Sequence, residues 1–145
     1  MANYNAFTRS NYFKVTDAER MKELVASCAC DEDELQLFER DDADGGQTFG
    51  FGCYSSISGL EVPCEEPDEY PEYDFDAFAA ELQKILCDGD AIIITEIGYE
   101  KLRYLIGYSV IITKTEIRTV DIQNESLKAA KEMLGNPDFT TVAEY

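Results

Sequence analysis

Ala91-Ile-Ile-Ile-Thr-Glu-Ile97, Leu102-Arg-Tyr-Leu-Ile-Gly-Tyr-Ser-Val-Ile-Ile-Thr113 and Glu116-Ile-Arg-Thr-Val-Asp-Ile122 follow one another with only short gaps, and their reading decides the fold. Each is rich in β-branched and aromatic residues that alternate with a period of two, so the three read as strands. Strands joined by turns this short pair antiparallel. The longest strongly apolar runs, Ala91 to Ile94 and Tyr104 to Ile112, fall far short of the roughly 20 residues that span a bilayer. No membrane span is expected.

Outward from this block the period changes to that of helices. On its C-terminal side Asn124 can cap a helix carrying Leu127, Ala130, Met133 and Leu134, with Gly135 and Pro137 as its stop. On its N-terminal side Phe75, Phe78, Leu82, Ile85 and Leu86 recur at helical spacing behind Asp74 or Asp76 as the cap, and Gly89 fits the termination. Ser56 to Tyr73 holds three of the four prolines and little periodic pattern, so it reads as a long loop. Glu34 to Arg40 and Gln47 to Ser55 flank Asp41-Asp42-Ala43-Asp44-Gly45-Gly46, a β-hairpin pattern with Phe49, Phe51 and Cys53 on one side. Thr16-Asp17-Ala18-Glu19 has the form of a capping box, which predicts a helix over about Asp17 to Ser27 that buries Met21, Leu24, Val25 and Cys28. A short strand is expected over Asn11 to Val15. The order βαββ-α-βββ-α predicts one α+β domain over residues 1–145, with helices on a largely antiparallel sheet.

Charge is the outlier of the composition. Thirty Asp and Glu stand against twelve Lys and Arg, without any histidine, for a net charge of −18. That balance repels bare nucleic acid and anionic membranes and attracts basic proteins. Asp31 to Asp44 contains Asp31, Glu32, Asp33, Glu34, Glu39, Asp41, Asp42 and Asp44 against Arg40 alone. Glu61 to Asp76 contains Glu61, Glu65, Glu66, Asp68, Glu69, Glu72, Asp74 and Asp76 with no base, and no Lys or Arg occurs from Asp41 through Gln83. Local i,i+4 pairing cannot neutralise these groups. The plain reading of such runs is a solvated face. The sharper one starts from distance: Asp33 and Asp42 on an extended strand would stand roughly 30 Å apart at about 3.3 Å per residue. That matches roughly nine phosphate steps at about 3.4 Å along one strand of a duplex. Tyr70 and Tyr73 would supply amphipathic anchors within such an interface.

The lack of histidine removes Ser/His/Asp and Cys/His nucleophilic sites and imidazole zinc sites. Five cysteines, Cys28, Cys30, Cys53, Cys64 and Cys87, are odd in number and irregular in spacing, and residues 1–10 lack the apolar core of a signal peptide. Reduced thiols in a cytoplasmic protein are expected. Cys28-Ala29-Cys30 lacks an accompanying Cys-x-x-Cys pair, so no metal or cofactor is expected. An EF-hand starting at Asp42 is excluded because Gly46 and Cys53 fill its third acidic and closing positions. Gly50-Phe51-Gly52 lacks the third glycine of a phosphate loop and reads instead as a strand against which something packs closely.

Asn11-Tyr12-Phe13-Lys14-Val15-Thr16-Asp17, Lys101-Leu102-Arg103-Tyr104-Leu105-Ile106-Gly107-Tyr108 and Met133-Leu134-Gly135-Asn136-Pro137-Asp138 resemble segments of small acidic proteins carried by bacterial phages, plasmids and integrative elements. In size and charge the chain is also similar to DNA-mimic anti-restriction and anti-CRISPR inhibitors. That resemblance implies a non-enzymatic inhibitor that occupies the DNA-binding site of a basic CRISPR effector. The expected partner-binding residues are Asp31, Glu32, Asp33, Glu34, Asp41, Asp42, Asp44, Glu65, Glu66, Asp68, Glu69, Glu72, Tyr70 and Tyr73. An alternative is an adaptor or regulatory module that binds a protein through its sheet edge or apolar surface, with acidity serving solubility alone. Direct nucleic-acid binding is not expected, and pairing of the sheet across a homodimer stays open.

Overall fold

The computed structural model describes residues 4–64, 71–102 and 104–141. Its elements are β1 (Asn5–Ser10), α1 (Ala18–Ser27), β2 (Ala29–Cys30), β3 (Gln36–Asp41), β4 (Gln47–Cys53), β5 (Ile57–Val62), β6 (Glu72–Asp74), α2 (Phe75–Ile85), β7 (Ile92–Glu100), β8 (Tyr104–Ile112), β9 (Ile117–Asp121) and α3 (Ile122–Leu134). Six strands form an antiparallel sheet in the order β3-β4-β1-β7-β8-β9, and three short ones form a second sheet, β2-β5-β6. This is an α+β fold.

The β7–β8–β9 block is the meander that its period-two pattern predicts, with Ile92 opposite Ile112 and Ile94 opposite Val110. Along β7 every even-numbered residue is buried. The even face meets α1 and α2, and the shared core holds Phe13, Met21, Leu24, Phe49, Phe51, Phe78, Leu82 and Leu86. Phe51 lies at its centre, edge-on to Phe13 (centroids 6.0 Å, 80°) and to Phe78 (5.5 Å, 68°). Such contacts add about 0.5–1.5 kcal/mol to the burial of the rings. The β3–β4 hairpin forms as expected, and its turn closes through Asp42 N–H to Gly46 C=O at 2.6 Å.

Several expectations fail locally. The N-terminal strand lies at Asn5–Ser10, not Asn11–Val15; Phe13 and Val15 make only single bridges, to Phe49 and Leu86. Small side chains decide this: Ala6, Thr8 and Ser10 fit the buried face between β4 and β7, while Phe13 is needed in the core. Asp17, not Thr16, caps α1 and accepts from Arg20 N–H, because the Thr16 hydroxyl is spent on Ile85 C=O. Asp121, not Asn124, caps α3. α2 ends at Ile85 with Leu86 as its C-cap, and Gly89 serves the following turn with φ +80°. The supposed loop Ser56 to Tyr73 contains β5 and runs into β6, which pair Leu60 with Asp74 and Val62 with Glu72. Gly59 makes this possible: its φ is +115°, and a Cβ there would collide with the backbone of Asp74. α3 forms, but none of its residues is buried.

Candidate partner-binding surfaces

The acidic β2–β3 turn is tied to its own fold. The Asp33 carboxylate accepts from Tyr54 N–H at 2.8 Å and from the Ser55 hydroxyl at 2.6 Å, and Asp31 accepts from the Ser58 hydroxyl at 2.6 Å. Glu32 and Glu34 stay exposed. At the opposite end of β3, Lys14 reaches over from the segment after β1 and pairs with Asp42 at 3.0 Å, while Lys22 of α1 approaches Glu39 at 3.8 Å. The ion pair and its hydrogen bond raise the Lys14 pKa and lower that of Asp42. Asp41 and Asp44 remain exposed without an ion pair among the described residues. Glu72 and Tyr73 are exposed on β6. Glu65, Glu66, Asp68, Glu69 and Tyr70 lie outside the described residues. Asp33 and Asp42 therefore do not stand as free carboxylates at two ends of a rod; of the expected acids among the described residues, Glu32, Glu34, Asp41, Asp44 and Glu72 are exposed without an ion pair.

Register reveals a sharper charge pattern. Glu39, Asp41, Glu96, Glu100 and Asp121 are the carboxylates of the main sheet, and all five share the face that carries Phe49, Cys53 and Tyr108. The opposite, outer face presents Arg9, Arg40 and Arg118 and no Asp or Glu among the strand residues. Arg9 lies 4.7 Å from the Phe38 ring centroid and 5.7 Å from that of Tyr12, and Arg40 lies 4.0 Å from the Tyr12 centroid. Beside this stack, Phe7, Ile97 and Leu105 are more than half exposed and Tyr99 is exposed as well, and Phe7 packs edge-on to the exposed Tyr54 at 5.9 Å. Guanidinium–aromatic stacks next to open aliphatic area are the composition of protein-interface hot spots.

Sequence reading missed this face. A signal existed: Ile93, Thr95, Ile97 and Tyr99 are as apolar as the alternate set Ile92, Ile94 and Glu96, and an antiparallel strand with one wet face should read polar on that side.

Two polar clusters lie inside. Glu96, 7% exposed, accepts from Tyr4 at 2.8 Å and Tyr108 at 3.1 Å, with the Thr8 hydroxyl at 3.5 Å. Burial and then Glu96 push the Tyr108 phenol up to about 12 and raise that of Tyr4 as well. The second cluster joins Cys30, Asp33 and Cys53. A hydrogen bond from the Cys30 thiol pulls Cys53 down to about 7, the same bond and burial raise Cys30, and burial pushes Cys28 up to about 12. No helix among the described residues is long and apolar enough to cross a membrane. Comparison with protein-family models, with curated proteins and with solved structures finds no match for this chain.

Proposed function

We propose that this chain is a non-enzymatic anti-defence inhibitor that binds a basic, DNA-handling protein of the CRISPR-effector kind and keeps DNA from its phosphate-binding surface. The observation that supports this reading is that Glu32, Glu34, Asp41, Asp44 and Glu72 are exposed without an ion pair among the described residues, on a chain of net charge −18. The free acids at Glu32, Glu34, Asp41, Asp44 and Glu72 pair with lysines and arginines that otherwise hold phosphate, through charge-assisted hydrogen bonds. Steering by the net negative charge makes association fast and salt-sensitive. The test is protection of DNA from cleavage by candidate host effectors. Asp41→Lys with Asp44→Lys, and Glu32→Lys with Glu34→Lys, should each weaken protection while far-ultraviolet circular dichroism stays unchanged. Equal potency of both double variants at low ionic strength refutes the reading.

The outer sheet face favours a second reading, an adaptor that docks a protein presenting carboxylates among aliphatic side chains. Here Ile97→Lys abolishes binding, and added salt has little effect on the apolar part of the contact. The two readings separate on which of these variants loses the partner.

A further inference from the structure

Cys30, Asp33 and Cys53 come from three separate places in the chain: the end of β2, the turn after it, and the last residue of β4. The fold brings one ligand atom of each, two sulfurs and a carboxylate oxygen, within 4.8 Å of one another. The arrangement spans the two sheets, since β2 belongs to the small one and β4 to the large one. Cys30 and Asp33 are partly exposed and Cys53 is buried.

Neither a packing role nor a capping role accounts for all three. Thiols that only fill space behave as small apolar groups, whereas the Cys53 thiol meets the Ser55 carbonyl at 3.1 Å and has the Asp33 carboxylate as a neighbour. Asp33 does tie down the turn after β4, but among the described residues each of its oxygens accepts one hydrogen bond there, from Tyr54 N–H and from Ser55 Oγ. One lone pair on each oxygen is left over. Those same two bonds fix the direction of the carboxylate, which is the role that outer partners play around metal ligands. Ser55 is itself held by Glu32 N–H at 3.3 Å.

The chemistry of the donor set then selects the guest. Two thiolates and a carboxylate sum to three negative charges, which a divalent cation reduces to one. Thiolate sulfur disfavours calcium and magnesium, whereas zinc accepts sulfur and carboxylate oxygen together. With zinc–sulfur distances of about 2.3 Å, ligand atoms of a tetrahedral site stand about 3.8 Å apart, so closure takes about 1 Å at most. We propose that Cys30, Asp33 and Cys53 form a zinc site that clamps the small sheet to the main sheet and leaves one coordination position facing solvent. The inference stands on these three residues and is independent of the partner proposed above.

The test loads the full chain, kept reduced with a phosphine, with zinc or cobalt(II) ions and then dialyses it. The wild type should retain about one equivalent of zinc, and the cobalt form should show thiolate-to-cobalt charge-transfer absorption. Cys30→Ser should lose most of that absorption and the retained zinc. Asp33→Asn should keep the absorption but weaken binding roughly tenfold or more, and Cys87→Ser should match the wild type. Because Cys53 is a core residue, the partly exposed Cys30 and Asp33 carry the decision if Cys53→Ser does not fold. Retention below about a tenth of an equivalent by the wild type, or equal retention by Cys30→Ser, overturns the proposal.

Discussion

Tyr108 of β8 stands directly across from Glu96 of β7, and its hydroxyl donates to the Glu96 carboxylate at 3.1 Å. Tyr4 closes the same carboxylate from the other side, passing over Gly98, where a Cβ would occupy the space of its ring. The bonds need neutral phenols. Since the folded pKa of Tyr108 is raised above its ordinary value of 10 to about 12, its contribution is fully present below about pH 10 and is lost as pH rises through 12. Urea midpoints measured across that window should fall for the wild type and fall less for Tyr108→Phe. Glu96→Ala should cost about 1–3 kcal/mol at neutral pH, since it strands two hydroxyls.

Core and outer face should separate cleanly in stability. Phe51 is fully buried between two other rings, so Phe51→Ala should cost about 3–5 kcal/mol. Phe7 and Ile97 are 57% and 61% exposed, so Phe7→Ala and Ile97→Ala should stay within about 0.5 kcal/mol. Thermal unfolding of the three variants checks both. A large loss at Ile97 would mean that the outer face is already covered in the free protein.

Gly59 is a backbone requirement of the small sheet. An L side chain at φ +115° is strained by about 1–3 kcal/mol before any contact is counted, and a Cβ would also strike Asp74. Gly59→Ala should therefore break the β5–β6 pairing, seen as faster amide exchange at Leu60 and Val62.

Lys14 offers a test of the charge argument that adds no acid. It pairs with Asp42 at 3.0 Å. The pair holds the Asp42 carboxyl below the ordinary range, so its contribution is present above that range and fades as pH falls through the lowered value. Lys14→Ala frees Asp42. On the inhibitor reading the variant should bind its basic target faster at low salt, and an unchanged association rate would count against that reading.

The architecture was legible wherever burial is one-sided and local. The β7–β8–β9 meander, the β3–β4 hairpin and the apolar stripe of α2 all follow from short-range periodicity. β1 was not, because Ala6, Thr8 and Ser10 are chosen for a narrow slot between distant strands and carry no hydrophobic signal of their own. β5 and β6 hide among prolines and acids because their pairing depends on one glycine. For the surface, sequence located the acids but could not know that Lys14 folds back on Asp42 or that the Ser55 hydroxyl occupies Asp33. Nor could it place Cys30 beside Cys53, twenty-three positions away in the chain and in a different sheet.

The one-sided placement of the strand carboxylates leaves arginine as the charged residue of the outer face among the described strand residues, so the acidic turns and the back of the sheet call for contacts of opposite sign.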